Sequence, residues 1–154
     1  LILPREVDRV EQWVNEAREA GGEIVCGGKR ISKTCFEPTL IVNPPADVNV
    51  SKMEIFGPVV CLYSFEDKND AIKQANSLDY HFQASVFTKN IDSALEAVQK
   101  LNATAVMVND HTAFRVDWMP FGGRDASGLG IGSIPHSMKD MSREKMMVIK
   151  SNMI

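Results

Sequence analysis

Two short segments hold the residue types and spacings that could do chemistry. In Met53-Glu54-Ile55-Phe56-Gly57-Pro58 a carboxylate and an aromatic ring stand two residues apart, on a loop constrained by a glycine and a proline. A carboxylate can accept two hydrogen bonds from the vicinal hydroxyls of a ribose, and a ring beside it can pack on a flat heterocycle. Together they would form half of a nicotinamide-riboside pocket. The same spacing suits a surface glutamate, a core phenylalanine and an ordinary turn, and spacing alone favours that plainer reading. The second segment is Pro120-Phe121-Gly122-Gly123-Arg124-Asp125-Ala126-Ser127-Gly128-Leu129-Gly130. Its small residues let backbone approach backbone, or a ligand. Gly128, Gly130 and Gly132 are followed by Ser133, so the G-x-G-x-x-G spacing fails, and no Gly-Lys-Ser/Thr is present. A close-packed structural loop fits better than a phosphate cradle.

The other reactive types are sparse. Cys26, Cys35 and Cys61 have no close pairing, which argues against a disulfide framework and fits a reducing, cytoplasmic setting. Each reads as a packing residue, and Cys61 lies in an apolar run where a thiol is inert. His81, His111 and His136 have no ligand-like spacing to the cysteines, so no metal site is expected. The formal charge is −3 and the basic residues are scattered, which leaves no footprint for nucleic acid or a membrane surface. No apolar run approaches the roughly 20 residues that span a bilayer. The opening Leu1-Ile2-Leu3-Pro4 has neither a Met nor a signal-peptide pattern, and reads as a chain that begins in mid-protein.

Regular elements must hold these segments in place. Val7, Val10, Trp13, Val14 and Ala17 form one apolar helix face between about Pro4 and Ala20, stopped by Gly21-Gly22. Strands are expected over about Glu23 to Cys26, around Pro38 to Val42, and over Val59 to Tyr63, the last a buried one. Asp67 caps a helix through Leu78, with Ala71, Ile72, Ala75 and Leu78 inward. Asn90 caps another, with Ile91, Ala94, Leu95, Val98 and Leu101 on one face. Strands at Ala84 to Phe87 and Ala105 to Val108 flank that second helix. The alternation implies an α/β fold, a mostly parallel sheet with helices on both faces. Asn109 to Ser133 is glycine-rich and aperiodic, and loops of that length are usually functional or disordered. A short helix, Pro135 to Met141, and a final strand, Met146 to Ile149, close the chain.

In this order and at this separation, the two segments resemble the aldehyde dehydrogenase superfamily. Glu54-Ile55-Phe56-Gly57-Pro58 looks like its signature in the second half of the catalytic domain. Pro120-Phe121-Gly122-Gly123 through Ser127-Gly128-Leu129-Gly130 looks like its later glycine-rich signature. Cys35-Phe36-Glu37-Pro38-Thr39-Leu40 and Gln83-Ala84-Ser85-Val86-Phe87-Thr88 are similar to two of its extended segments. The opening helix followed by Gly-Gly-x-Ile-Val-x-Gly-Gly also fits. The likeness covers essentially the whole chain. It implies that residues 1–140 are the C-terminal part of the catalytic domain and residues 141–154 an oligomerisation strand. Two positions depart from the family's habit: Asp125 stands where a Lys is frequent, and Ile131-Gly132 where Arg-Glu is frequent. Both lie outside the chemistry and bear on the subfamily.

The resemblance implies oxidation of an aldehyde to an acid with NAD or NADP. A cysteine thiolate attacks the carbonyl, hydride passes to the nicotinamide, and a glutamate-activated water hydrolyses the resulting thioester. It assigns Glu54 to the nicotinamide-ribose hydroxyls, Phe56 to the nicotinamide face, and Phe121 to the substrate funnel. The family's nucleophile, general base and cofactor domain lie upstream of the region matched by Leu1. No catalytic residue is therefore assigned here, and the chain alone is expected to be inactive. The loop from Asn109 to Met119 resembles branches acting on small polar aldehydes, such as lactaldehyde or glyceraldehyde phosphate. Arg115 in that loop would anchor an anionic substrate group with its planar fork, unless it pairs with Asp117 or another local carboxylate. In the family a strand such as Lys145 to Lys150 joins a partner subunit's sheet, giving a homo-oligomer. The alternative is an edge strand within its own domain. A non-catalytic module that kept the fold and this strand is the competing functional reading.

Overall fold

Pro4 opens helix α1 (Pro4–Glu19), where its missing N–H costs nothing and its fixed φ suits the first turn. Val7, Val10, Val14 and Ala17 fall on one face and are all fully buried. Gly21, at φ +102°, ends the helix. The computed structural model describes residues 1–152. It divides into two units, one spanning Leu1–Leu78 and the other beginning at Asp79.

In the first unit the sheet order is β1 (Glu23–Cys26), β2 (Thr39–Val42), β3 (Val59–Leu62). β1 runs antiparallel to β2, with a bulge between Ile24 and Cys26. β2 runs parallel to β3, from Thr39 opposite Val59 to Val42 opposite Leu62. The core joins the α1 valines to Phe36, Ile41, Val48, Val50 and Val59. Burial alternates along β2 and β3, as it must when only one face is covered. Val60 and Leu62 are exposed, so the continuous apolar run expected to be buried on both faces is buried on one. The short helix α2 (Asn49–Lys52) had no sequence signal. Glu16 of α1 fastens it, accepting from the Asn49 side chain at 2.7 Å and its backbone N–H at 3.2 Å. Helix α3 (Lys68–Ala75) starts as expected: Asp67 accepts from Asn69 N–H at 2.7 Å. It stops short of Leu78 and buries none of its residues.

In the second unit, β4 (Tyr80–His81) is followed by β5 (Gln83–Val86), helix α4 (Ile91–Lys100) and β6 (Ala105–Val108). β5 and β6 pair in parallel, Gln83 opposite Ala105 through Val86 opposite Val108, with α4 as the crossover. Asn90 caps α4 by accepting from Ser93 N–H at 2.9 Å. Asn90→Ala should therefore cost about 1 kcal/mol, and Asn90→Asp much less, read as shifts in the urea midpoint. The buried stripe of α4 is Ala94 and Ala97. Ile91, Leu95 (61% exposed) and Val98 are left in the open, which corrects the expected inward face. A two-residue strand, β7 (Arg124–Asp125), pairs antiparallel with β4. Helix α5 (Ile134–Asp140) follows.

The expected single, mostly parallel sheet covered on both faces is thus replaced by three small sheets, one mixed, one antiparallel and one parallel. β3 and β5 bracket α3 in the sequence, yet they belong to sheets of different units. The final strand is also corrected: Lys145 to Lys150 is assigned neither helix nor strand, and Met146 to Ile149 are exposed. A strand needs a neighbour to hydrogen-bond, and this segment has none among the described residues. Residues 153–154 of the segment expected at 141–154 lie outside the described residues.

Candidate functional site

Between α2 and β3 the chain makes a fastened loop that leaves two side chains free. Ile55 packs against the core cluster. Its carbonyl accepts from Arg9 Nη2 of α1 at 2.7 Å. Gly57 is pressed on α1: a Cβ there would lie 2.8 Å from Val10 Cγ2. Pro58 O accepts from Thr39 N–H at 2.8 Å, which ties the loop to β2. Between these anchors Phe56 sits at φ +44° and is 79% exposed. A bulky residue in the left-handed region costs on the order of 1–3 kcal/mol, and persists only where its surroundings over-determine it. The sequence suggested that Gly57 would supply the unusual dihedral; Phe56 adopts it instead, and Gly57 provides clearance. Glu54 is exposed, and its carboxylate has no protein partner among the described residues. The loop therefore offers a bare carboxylate and a bare ring two residues apart.

Arg9 is itself held on three sides. Its Nε donates to Glu6 at 2.9 Å, and its guanidinium lies 4.4 Å from the centroid of the Trp13 ring. The hydrogen bond from Arg9 keeps the Glu6 carboxyl below its ordinary pKa, against an opposing effect of desolvation.

The second pair of expected residues, Arg115 and Phe121, lies in the second unit. The Arg115 guanidinium stacks 3.9 Å from the Phe121 centroid. The Phe82 ring meets Phe121 edge-on, with centroids 4.9 Å apart at 87°. Arg115 is exposed and makes no ion pair among the described residues, so the alternative pairing with Asp117 does not form. Phe121 is fixed by a two-way backbone bridge to Gly132, at 2.9 and 2.6 Å. The glycine-rich run closes on itself: a Cβ on Gly123 would lie 2.5 Å from Ser127 O. That is the packed structural loop, with Gly122 and Gly123 spent on backbone contact.

A polar cluster that sequence reasoning missed ties this loop to β4. Asp125 Oδ2 lies 2.8 Å from His81 Nδ1 and accepts from Asn102 Nδ2 at 3.1 Å. Arg124 Nη1 donates to Asn102 Oδ1 at 3.1 Å. A carboxylate only accepts, so His81 carries its proton on Nδ1. His81 is 8% exposed, and its Nε2 is buried without a hydrogen bond among the described residues. Asp125 takes φ +53° to reach this position. The departure from Lys at position 125 thus has a local use, as a carboxylate for a buried imidazole.

None of the cysteines carries the marks of a nucleophile. Burial pushes the Cys61 thiol pKa up, which disfavours the thiolate. Cys26 and Cys35 are exposed, which corrects the packing role expected for them. Among the described residues no group of three or more His, Cys, Asp or Glu side chains could hold a metal ion. No described helix is long and apolar enough to cross a membrane.

Residues 1–147 match the aldehyde dehydrogenase family. The chain is 36% identical over 149 residues to a 3-sulfolactaldehyde dehydrogenase of Priestia aryabhattai, covering 97% of this chain and 31% of that protein. It is 36% identical over 151 residues to a lactaldehyde dehydrogenase of Methanococcus aeolicus, covering 98% of this chain and 32% of the relative. The fold superposes on the crystal structure of the glyceraldehyde-3-phosphate dehydrogenase GapN of Methanocaldococcus jannaschii complexed with NADP. There the TM-score is 0.86 at 35% identity, covering 93% of this chain and 31% of that one. The chain spans about a third of the length of the relatives it matches.

Proposed function

The chain belongs to the aldehyde dehydrogenase family, and from that premise we propose that it is the C-terminal part of an enzyme that oxidises a small aldehyde to its acid with NAD or NADP. The observation that carries this reading is the Glu54–Phe56 loop. A free carboxylate and an exposed ring held in a strained conformation fit the ribose hydroxyls and the flat face of a nicotinamide riboside. When bound, that cofactor accepts the hydride from the substrate. Glu54 would hold the ribose by accepting from its two hydroxyls. Phe56 would pack on one face of the nicotinamide and keep water from it. The nucleophilic cysteine and general-base glutamate come from residues outside this chain. The raised thiol pKa of Cys61 and the exposed positions of Cys26 and Cys35 support that assignment.

On the substrate side, Arg115 and Phe121 shape selectivity. A guanidinium stacked on an aromatic ring and lacking a carboxylate partner still has N–H edges to offer an anion. That favours an aldehyde with a terminal carboxylate, sulfonate or phosphate, as the names of the sulfolactaldehyde and glyceraldehyde-3-phosphate relatives suggest. An uncharged aldehyde, as for the lactaldehyde relative, is the competing case. The exposed, unpaired segment from Lys145 to Lys150 suits strand addition to a partner subunit, giving a homo-oligomer.

The test is the protein made from its complete gene, supplied with NAD or NADP and a panel of small aldehydes, with reduced cofactor as the readout. Aldehyde-dependent turnover is expected. Glu54→Gln should raise the cofactor KM about tenfold, the loss expected when a charged hydrogen-bond acceptor becomes neutral. No turnover with either cofactor across the panel would favour the non-catalytic module.

A further inference from the structure

We propose that Arg9 is a positioning residue for cofactor binding, acting through the Ile55 carbonyl to hold Phe56 in its left-handed conformation. This rests on the reading of Glu54 and Phe56 given above. The argument starts from the planarity of the peptide bond. Ile55 O and Phe56 N belong to one rigid plane, so whatever fixes that oxygen also constrains φ of Phe56. Arg9 Nη2 donates to that oxygen at 2.7 Å. A flip of the 55–56 peptide would let Phe56 relax to a negative φ, swinging its ring relative to the Glu54 carboxylate. Strain alone drives Phe56 toward that flip. Arg9 opposes it.

Arg9 suits this task because it cannot easily turn away. Glu6 holds its Nε at 2.9 Å, Trp13 supports one face at 4.4 Å, and the side chain is only 26% exposed. Planarity of the guanidinium then aims Nη2 at a fixed point. Glu6, Arg9 and Trp13 all lie on α1, whose Val7, Val10, Val14 and Ala17 are fully buried. The donor is therefore anchored on the helix whose apolar face is fully buried in the first unit. The other restraints, at Gly57 and Pro58, act after Phe56; Arg9 acts on the peptide before it. Loss of Arg9 should free one side of the strained residue while the loop as a whole stays attached.

The experiment uses the full-length protein with three substitutions. Arg9→Met keeps an unbranched apolar stem on α1 but removes the guanidinium, and with it every donor and the stacking on Trp13. Arg9→Lys keeps one charged donor without the fork. Glu54→Gln reports on the cofactor reading itself. Arg9→Met should raise the cofactor KM about tenfold while changing the aldehyde KM less than about threefold. Arg9→Lys should recover part of that loss. If Glu54→Gln raises the cofactor KM and Arg9→Met does not, the positioning role is wrong and the cofactor site stands. If Glu54→Gln leaves the cofactor KM unchanged, the cofactor reading itself fails. If Arg9→Met raises both KM values alike and lowers the melting temperature, Arg9 is a general structural residue and the proposal is overturned. Should Arg9→Met not fold, Glu6→Ala, which removes the acceptor that holds Arg9 Nε, must still raise the cofactor KM selectively. Failure to do so overturns the proposal equally.

Discussion

Gly27→Ala should destabilise the first unit by about 3–4 kcal/mol, the largest effect expected of any one-methyl change in this chain. Gly27 has φ +72°, so any side chain carries a left-handed penalty of roughly 1–2 kcal/mol. The larger difficulty is contact. A Cβ there would lie 2.1 Å from Pro38 O and 2.8 Å from Thr39 Oγ1. Pro38 leads directly into β2, the central strand of the sheet, so its carbonyl cannot retreat without moving that strand. The Thr39 hydroxyl accepts from Gly28 N–H at 2.8 Å and donates to Glu37 O at 2.8 Å. A shift large enough to admit the methyl would break this buried link, at about 1–3 kcal/mol. Gly21→Ala is the control. Gly21 also has a positive φ, +102°, but nothing lies within 4 Å of the added methyl. It should therefore lose only the conformational part. Urea denaturation of the pair separates the two costs. Equal midpoints for both variants would mean that the clash at Pro38 relaxes freely and the close-approach argument is wrong.

The elements legible in the sequence are those defined by their own neighbours. α1 shows a clean apolar period with a proline before it and glycines after it, so its bounds and buried face were both readable. β1 and β6 were readable as short runs between breakers, and the Asp67 and Asn90 caps by their side-chain chemistry. Pairing was not, because it is decided by distant residues. Nothing within Glu23–Cys26 specifies an antiparallel neighbour, and nothing within Val59–Leu62 indicates that one of its faces stays uncovered. The α4 face was legible in part: Ala94 was placed on it and is buried beside Ala97, whereas the large aliphatics Ile91, Leu95 and Val98 dominated the apolar pattern and stay exposed, because small alanines permit the closest approach. The tail was read as a strand from composition, yet a strand exists only with a partner.

The site divides along the same line. Glu54 and Phe56 were visible because their types and spacing suggest a ligand. The left-handed φ of Phe56 was not, since glycine or asparagine would be the usual signal for it. Arg9 lies 46 residues from Ile55 in sequence, and His81 lies 44 from Asp125. No local pattern links such pairs. The one usable hint was Asp125, an acidic residue where the family resemblance leads one to look for a lysine.

Arg115 is where substrate choice should be most sensitive to one side chain. Arg115→Leu should lower kcat/KM for an anionic small aldehyde by about 10- to 100-fold, the range of a lost charge-assisted hydrogen-bond pair. For lactaldehyde, which carries no charge, the change should stay within about threefold, since only packing on Phe121 is lost. The direction follows from what the guanidinium touches. One face is occupied by the Phe121 ring at 3.9 Å, which holds the group without neutralising it, and no carboxylate competes for its N–H edges among the described residues. Phe121 is in turn buttressed by Phe82 and bridged to Gly132, so this platform has a defined position. Arg115→Lys tests the geometry separately from the charge. Lysine keeps the charge but has neither the flat face for stacking nor the fork for two parallel hydrogen bonds. It should recover only a small part of the loss. Equal losses for charged and neutral aldehydes in the leucine variant would make Arg115 a structural support of the loop. No loss for either would remove it from the substrate site and return the selectivity question to the other residues between Asn109 and Met119.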